Sequence, residues 1–277
     1  MPNSEGPVDY EREYNNRARV PEHPEIMAGW ARDAAAYRAA NPPLQIAYGP
    51  RSRETLDLFG RQDRPVVLFI HGGYWQALDG SSFSHMARGL NAHGIAAAVA
   101  TYDLCPGVSI DTILGQMREA TRLLHDKTGR RIIAVGHSAG GHLAACLLAT
   151  DWRALDPASP VQPVRAAYCL SGLFDLRPLL HTQLNRALKL DATEAARLSP
   201  LLWTPPGGAR LHAAVGEFES AEYHRQSREI AERWSALGVD ASWEIISGAN
   251  HFTIVAPLAD PESRMVHEIA NLATMAP

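Results

Sequence analysis

The chain is expected to fold as an α/β protein, a mostly parallel sheet with helices packed on both faces. From about residue 62 onward, short apolar runs alternate with amphipathic stretches, the order that builds βαβ units. The runs are continuously apolar rather than alternating in polarity, which suits strands buried on both sides. Several of them end in loops with glycine or polar side chains, at the sheet edge where open α/β folds bind ligands.

The first such strand is 65–70 (PVVLFI), rich in β-branched side chains and closed by His71, Gly72 and Gly73. Residues 95–101 (IAAAVAT) and 131–135 (RIIAV) have the same character, as do 164–170, 211–215 and, less cleanly, 242–246. Helical periodicity fills the intervals at 111–125, 139–150 and 221–237, and a last helix is expected from 261 to about 273. Right-handed crossovers put every loop leaving a strand's C-terminal end along one edge of the sheet. The first 60 or so residues are less regular. Residues 21–40 read as an arm carrying a helix that can lie over that edge. Residues 173–202 are leucine-rich, hold a proline near each end and lack a strand pattern, so a short helical insertion is expected. These two pieces together are expected to form a small lid. No internal repeat or linker interrupts residues 1–277, hence one domain.

With 46% of its 277 residues hydrophobic, the chain can bury a core without disulfide staples, and intrinsic disorder is excluded. Its net charge of -4 argues against a nucleic-acid partner, which would favour a concentrated basic face. Cys105, Cys146 and Cys169 are odd in number and form no CxxC pair, so they read as small buried residues. The polar start of the chain has no signal-peptide pattern, and no apolar run approaches the roughly 20 residues of a membrane span. The expectation is a cytoplasmic protein acting on a small molecule, without membrane or nucleic-acid partners, and with a homodimer left open.

The sharpest motif is Gly136-His137-Ser138-Ala139-Gly140, between the strand 131–135 and the helix 139–150. A serine at a tight strand-to-helix turn needs small residues two positions to either side, and the turn exposes its Oγ above the sheet edge. A dinucleotide fingerprint would need glycine where Ser138 stands, and a phosphate loop would need Lys-Ser/Thr where His142-Leu143 stand. Serine needs a histidine base oriented by a carboxylate, in chain order serine, acid, histidine. Among twelve histidines, His251 follows the last predicted strand in a loop; His267 is expected on a helix surface, His137 to diverge from the serine, and His142 to pack. Glu219, in the loop after 211–215, is the preferred acid, with Glu217 second and Asp175 third. Backbone donors for an oxyanion are expected from Gly72, Gly73, Tyr74 and Ala139. His71 reads as a brace for that loop. Tyr74, Trp75 and Phe252 are candidate pocket walls. No metal-ligand spacing is apparent, so neither metal nor cofactor is expected.

HGGYW at 71–75, GHSAGGH at 136–142 running on to Asp151-Trp152, SGLFDL at 171–176 and GEFESAEYHRQS at 216–227 together resemble the kynurenine formamidases (arylformamidases) of the α/β-hydrolase fold. The likeness covers roughly residues 45–275, and HGGxW and EYHRQS are more specific than GxSxG. It implies a catalytic triad of Ser138, Glu219 and His251, with glutamate where the animal enzymes carry aspartate. It also implies HGGYW as the oxyanion loop, and hydrolysis of N-formyl-L-kynurenine to formate and kynurenine in tryptophan catabolism. Two other readings stand beside it: a carboxylesterase or amidase for another small acyl or aryl substrate, and a hydrolase fold kept as a non-catalytic binding module.

Overall fold

An eight-stranded sheet forms the centre of the computed structural model, which describes residues 7–159 and 162–274. In chain order its strands are β1 (Leu44–Ala47), β2 (Thr55–Phe59), β3 (Val66–Ile70), β4 (Ala96–Thr101), β5 (Ile132–His137), β6 (Val164–Leu170), β7 (Arg210–Gly216) and β8 (Asp240–Ile246). They lie side by side as β1-β2-β4-β3-β5-β6-β7-β8. The pairings β1–β2 and β2–β4 are antiparallel, and all the others are parallel.

Pleating divides each central strand between two cores. Val66, Leu68 and Ile70 of β3 join one apolar cluster, and Val67 and Phe69 join the other. β5 does the same with Ile132 and Ala134 against Ile133 and Val135. One face is covered by the helices Ile110–Thr128, Ala139–Leu148 and Ala221–Ala236, through side chains such as Ile113, Leu143 and Trp234. The other face is covered by His23–Ala40, Ala87–Ala92 and Arg264–Thr274, through Trp30, Leu90 and Ile269. Local chemistry sets the helix ends. Ser109 Oγ accepts from the Thr112 N–H at 3.1 Å, and Gly129 closes the same helix at φ 62.

The antiparallel pair β1–β2 was not expected, nor was the 3-10 turn Gly80–Met86 leading into Ala87–Ala92. β1 is only half-covered at the sheet margin, so burial imposes little pattern on it. The predicted arm is one continuous helix, His23–Ala40, running through Trp30, preceded by the short helices Tyr10–Tyr14 and Asn16–Arg19. The insertion consists of short turns, Arg177–His181, Asn185–Leu188, Ala192–Arg197 and Pro200–Leu202. Both pieces contribute side chains to one cavity above the C-terminal ends of the strands. Among the described residues no helix is long and apolar enough to cross a membrane.

Leu143 is fully buried on a helix that is covered along its whole length. Leu143→Ala is expected to cost about 2–5 kcal/mol, read as a lower denaturant midpoint with an unchanged slope. An unmoved midpoint would contradict its position in the core.

Candidate active site

β5 hands the chain to the helix Ala139–Leu148 through Ser138, which has φ 55 and ψ -117. A non-glycine residue held there stores about 1–3 kcal/mol of strain. The two flanking glycines are sterically obligatory. A Cβ on Gly136 would lie 2.0 Å from the Gly140 carbonyl oxygen, and one on Gly140 would lie 1.9 Å from that of Ile70. Ser138 is thus held at the head of a helix, where the partial positive charge of unpaired N–H groups favours an anion.

His251 follows β8 and Glu219 follows β7, and both are nearly buried. His251 Nδ1 lies 2.6 Å from Glu219 Oε2. A carboxylate can only accept, so Nδ1 donates and Nε2 is left free to take a proton. The other carboxylate oxygen, Oε1, accepts from the Ser171 hydroxyl at 2.5 Å and from the Gly216 N–H at 2.8 Å. Ser171 reaches it from the end of β6 at φ 51, with its own N–H donated to the Ala214 carbonyl. The rival acids lie elsewhere. Glu217 is exposed and accepts from Ser247 Oγ and the Gly248 N–H. Asp175 is paired with Arg177 through two 2.8 Å contacts. Ser138 Oγ is not hydrogen-bonded to His251 in this structure, but both line the same cavity of about 470 Å³. Catalytic hydrogen bonds often tighten only when substrate is present.

The loop after β3 turns through three consecutive positive φ values, at Gly73 (105), Tyr74 (50) and Trp75 (56). Gly73 cannot carry a side chain, since its Cβ would meet the Ala77 carbonyl oxygen at 2.3 Å. Gly72 packs on the elbow so tightly that its Cβ would be 3.0 Å from that of Ser138. Among the described residues, the N–H groups of Gly72, Gly73, Tyr74 and Ala139, all four expected donors, have no acceptor within the protein. Unpaired amides beside a cavity call for a ligand or water oxygen. His71 braces the loop, with Nδ1 2.7 Å from the Gly72 carbonyl and its ring stacked on Tyr102 at 4.2 Å. Burial pushes the His71 pKa down to about 4, so it stays neutral.

Of the expected pocket walls, Tyr74 and Phe252 line the cavity. Trp75 does not, which corrects the expectation from sequence. It is wholly buried beneath the loop, with its indole packed edge-on against His142 at 5.1 Å. His142 packs there with Nε2 2.8 Å from the Leu198 carbonyl. His137 donates from Nε2 to the His251 carbonyl at 2.8 Å. Burial, helped by nearby His251, holds the His137 pKa well below the usual imidazole range, so a neutral ring pins the loop that carries the other histidine. His267 is exposed on the last helix.

The motifs did not identify a hydrogen-bonded cluster beneath the arm. The Tyr74 hydroxyl donates to the Tyr14 carbonyl at 2.6 Å, so it must accept from Asn16 Nδ2 at 3.1 Å and from Tyr223 Oη at 2.7 Å. Asn16 Nδ2 also donates to Tyr223 Oη, and the Tyr223 ring lies 4.7 Å from that of His251. The hydrogen bonds join residues about 60 to 210 positions apart, beyond the reach of any local pattern. The sequence also gave no sign of His212, Glu244 and Glu268, whose ligand-type atoms lie within 4.8 Å of one another. That group is away from the cavity and largely self-satisfied: Arg264 pairs with both glutamates, and His212 contacts Ser242 and Glu244.

Residues 67–274 match the model of the alpha/beta hydrolase family. The chain is 31% identical over 229 residues to the kynurenine formamidase of Danio rerio, covering 78% of this chain and 77% of that one. It is 31% identical over 241 residues to the kynurenine formamidase of Salmo salar, covering 83% and 81%. Among solved structures, one from Silicibacter sp. described as a candidate thioesterase matches with a TM-score of 0.84 and 34% identity, over 97% of this chain and all of that one. The chain therefore belongs to the alpha/beta hydrolase family, and it is an enzyme of that hydrolase type. Within the family, its relatives include the kynurenine formamidases.

Ser171→Ala would leave Glu219 Oε1 with the Gly216 N–H alone. The expected cost is about 1–3 kcal/mol of stability, measured by denaturant unfolding. An unchanged stability would mean that the hydroxyl does not hold the carboxylate.

Proposed function

We propose that this protein is a serine hydrolase of arylformamides, with N-formyl-L-kynurenine as its substrate. The observation that carries the reading is the 2.6 Å contact between buried His251 and Glu219, at the cavity that Ser138 lines. Ser138 Oγ attacks the formyl carbon while His251 Nε2 takes its proton. Glu219 holds the ring in the tautomer that leaves Nε2 free, and offsets the charge of the imidazolium as it forms. The carbonyl electron pair moves onto oxygen, where the N–H groups of Gly73, Tyr74 and Ala139 receive it. Each such donor contributes about 2.7–4 kcal/mol to transition-state stabilisation, and Gly72 lets their loop lie against the serine.

Collapse of the adduct breaks the C–N bond. His251 gives its proton to the departing arylamine nitrogen, and a formyl ester remains on Ser138. Water then attacks that ester, losing a proton to His251, and formate leaves as Ser138 recovers its hydrogen. Every group used belongs to this chain.

A second reading has specific support. The Silicibacter protein described as a candidate thioesterase is 34% identical over nearly the whole chain. Thiolates and activated phenolates depart without the proton that an arylamine needs, so the same residues suit a thioester or ester. A non-catalytic binding module has no comparable support, since a serine, a histidine and a carboxylate all border this region.

Side-by-side kcat/KM values on N-formyl-L-kynurenine and a short p-nitrophenyl ester separate the first two readings. A clear preference for the formamide is expected, and Ser138→Ala should lower kcat on the order of a millionfold. Preference for the ester would favour the second reading, and undiminished turnover by Ser138→Ala would remove the serine mechanism.

A further inference from the structure

One cavity is lined by Ser138, His251 and the apolar residues Trp30 and Phe252, and also by charged residues from the short N-terminal helices. Glu11 and Arg17 both line it, from the consecutive short helices Tyr10–Tyr14 and Asn16–Arg19. Glu11 is partly buried, and its Oε2 accepts from the Gln183 N–H at 2.7 Å, which anchors the carboxylate and leaves Oε1 without a protein partner. Arg17 has no carboxylate partner among the described residues, whereas Arg19 on the same helix is paired with Glu13.

An anchored anion and an unpaired cation on one short arm, at the wall of one cavity, form a complementary pair for a ligand carrying both charges. We propose that this region is a subsite for an α-amino-acid zwitterion, with Arg17 binding the carboxylate and Glu11 the ammonium group. The inference rests on the arylformamide reading above, because it is the aryl group of N-formyl-L-kynurenine that bears such a tail. The guanidinium presents a planar fork of N–H donors that fits a carboxylate through two parallel hydrogen bonds. The arm itself is fixed, because Tyr14 and Asn16 are hydrogen-bonded to Tyr74, Glu222 and Tyr223. Glu11 and the exposed Arg17 therefore sit on an arm anchored to the loop that carries Tyr74, and the subsite orients the substrate's far end relative to the scissile bond.

The test compares N-formyl-L-kynurenine with 2-formamidoacetophenone, the same formanilide with the amino-acid tail cut back to a methyl group. For the full-length protein, Arg17→Gln should lower the ratio of kcat/KM on the zwitterionic substrate to that on the neutral one about tenfold, chiefly through KM. Arg17→Lys should recover part of that ratio, and Glu11→Gln should lower it in the same direction. Circular dichroism of each variant guards against misfolding, which would depress both substrates together and leave the ratio alone. An unchanged ratio in well-folded Arg17→Gln, with the wild type cleaving both compounds, would overturn the subsite and leave the arylformamide reading standing. Cleavage of neither compound by the wild type would overturn both.

Discussion

A carboxylate buried beneath an imidazole is the constraint around which this site is built. Removing an ion from water costs several kcal/mol unless charge and hydrogen bonds replace the solvent. Glu219 receives that replacement from His251, from the Ser171 hydroxyl and from the Gly216 N–H. The supporting groups lie at or just beyond the C-terminal ends of three neighbouring parallel strands, β6, β7 and β8. In a parallel sheet those ends share one edge, so groups far apart in sequence meet without long connections. The strand order brings the partners of the carboxylate together, and hydrogen bonding sets their distances.

The other half of the site depends on backbone strain rather than charge. Ser138, Ser171, Tyr74 and Trp75 all hold positive φ without being glycine. Each costs free energy that surrounding packing must offset. The Tyr74 hydroxyl is tied to the arm, and the Trp75 indole is sealed against His142. Strain and its restraints therefore coincide at the loop whose amides are unpaired. The N-terminal arm joins the same cluster through Tyr14 and Asn16, so it braces the loop while it walls the cavity.

How far the sequence could be read follows from what burial demands of each segment. The strands from β3 to β7 are covered on both faces and so appear as continuous apolar runs. β1 and β2 lie towards one margin and pair antiparallel, and neither a long run nor a clean alternation marks them. The glycines around Ser138 were legible because the elbow tolerates no Cβ there. Glu219, Glu217 and Asp175 are all loop carboxylates in the sequence, and only the tertiary fold separates them by their partners. Trp75 follows the glycine loop, where its sequence position suits a pocket wall and packing beneath the lid equally; the left-handed turn buries it. Tyr14, Asn16 and Ser171 were not foreseen as site residues, since their contacts with the site cross long stretches of chain and depend on tertiary folding alone.

The most direct measurement of the central claim is covalent labelling by a fluorophosphonate, followed by peptide mass spectrometry. An activated serine driven by the Glu219–His251 pair should take up the label at Ser138 in the native enzyme. His251→Ala should slow that labelling about a hundredfold or more. Labelling at another residue, or an equal rate in His251→Ala, would contradict the account.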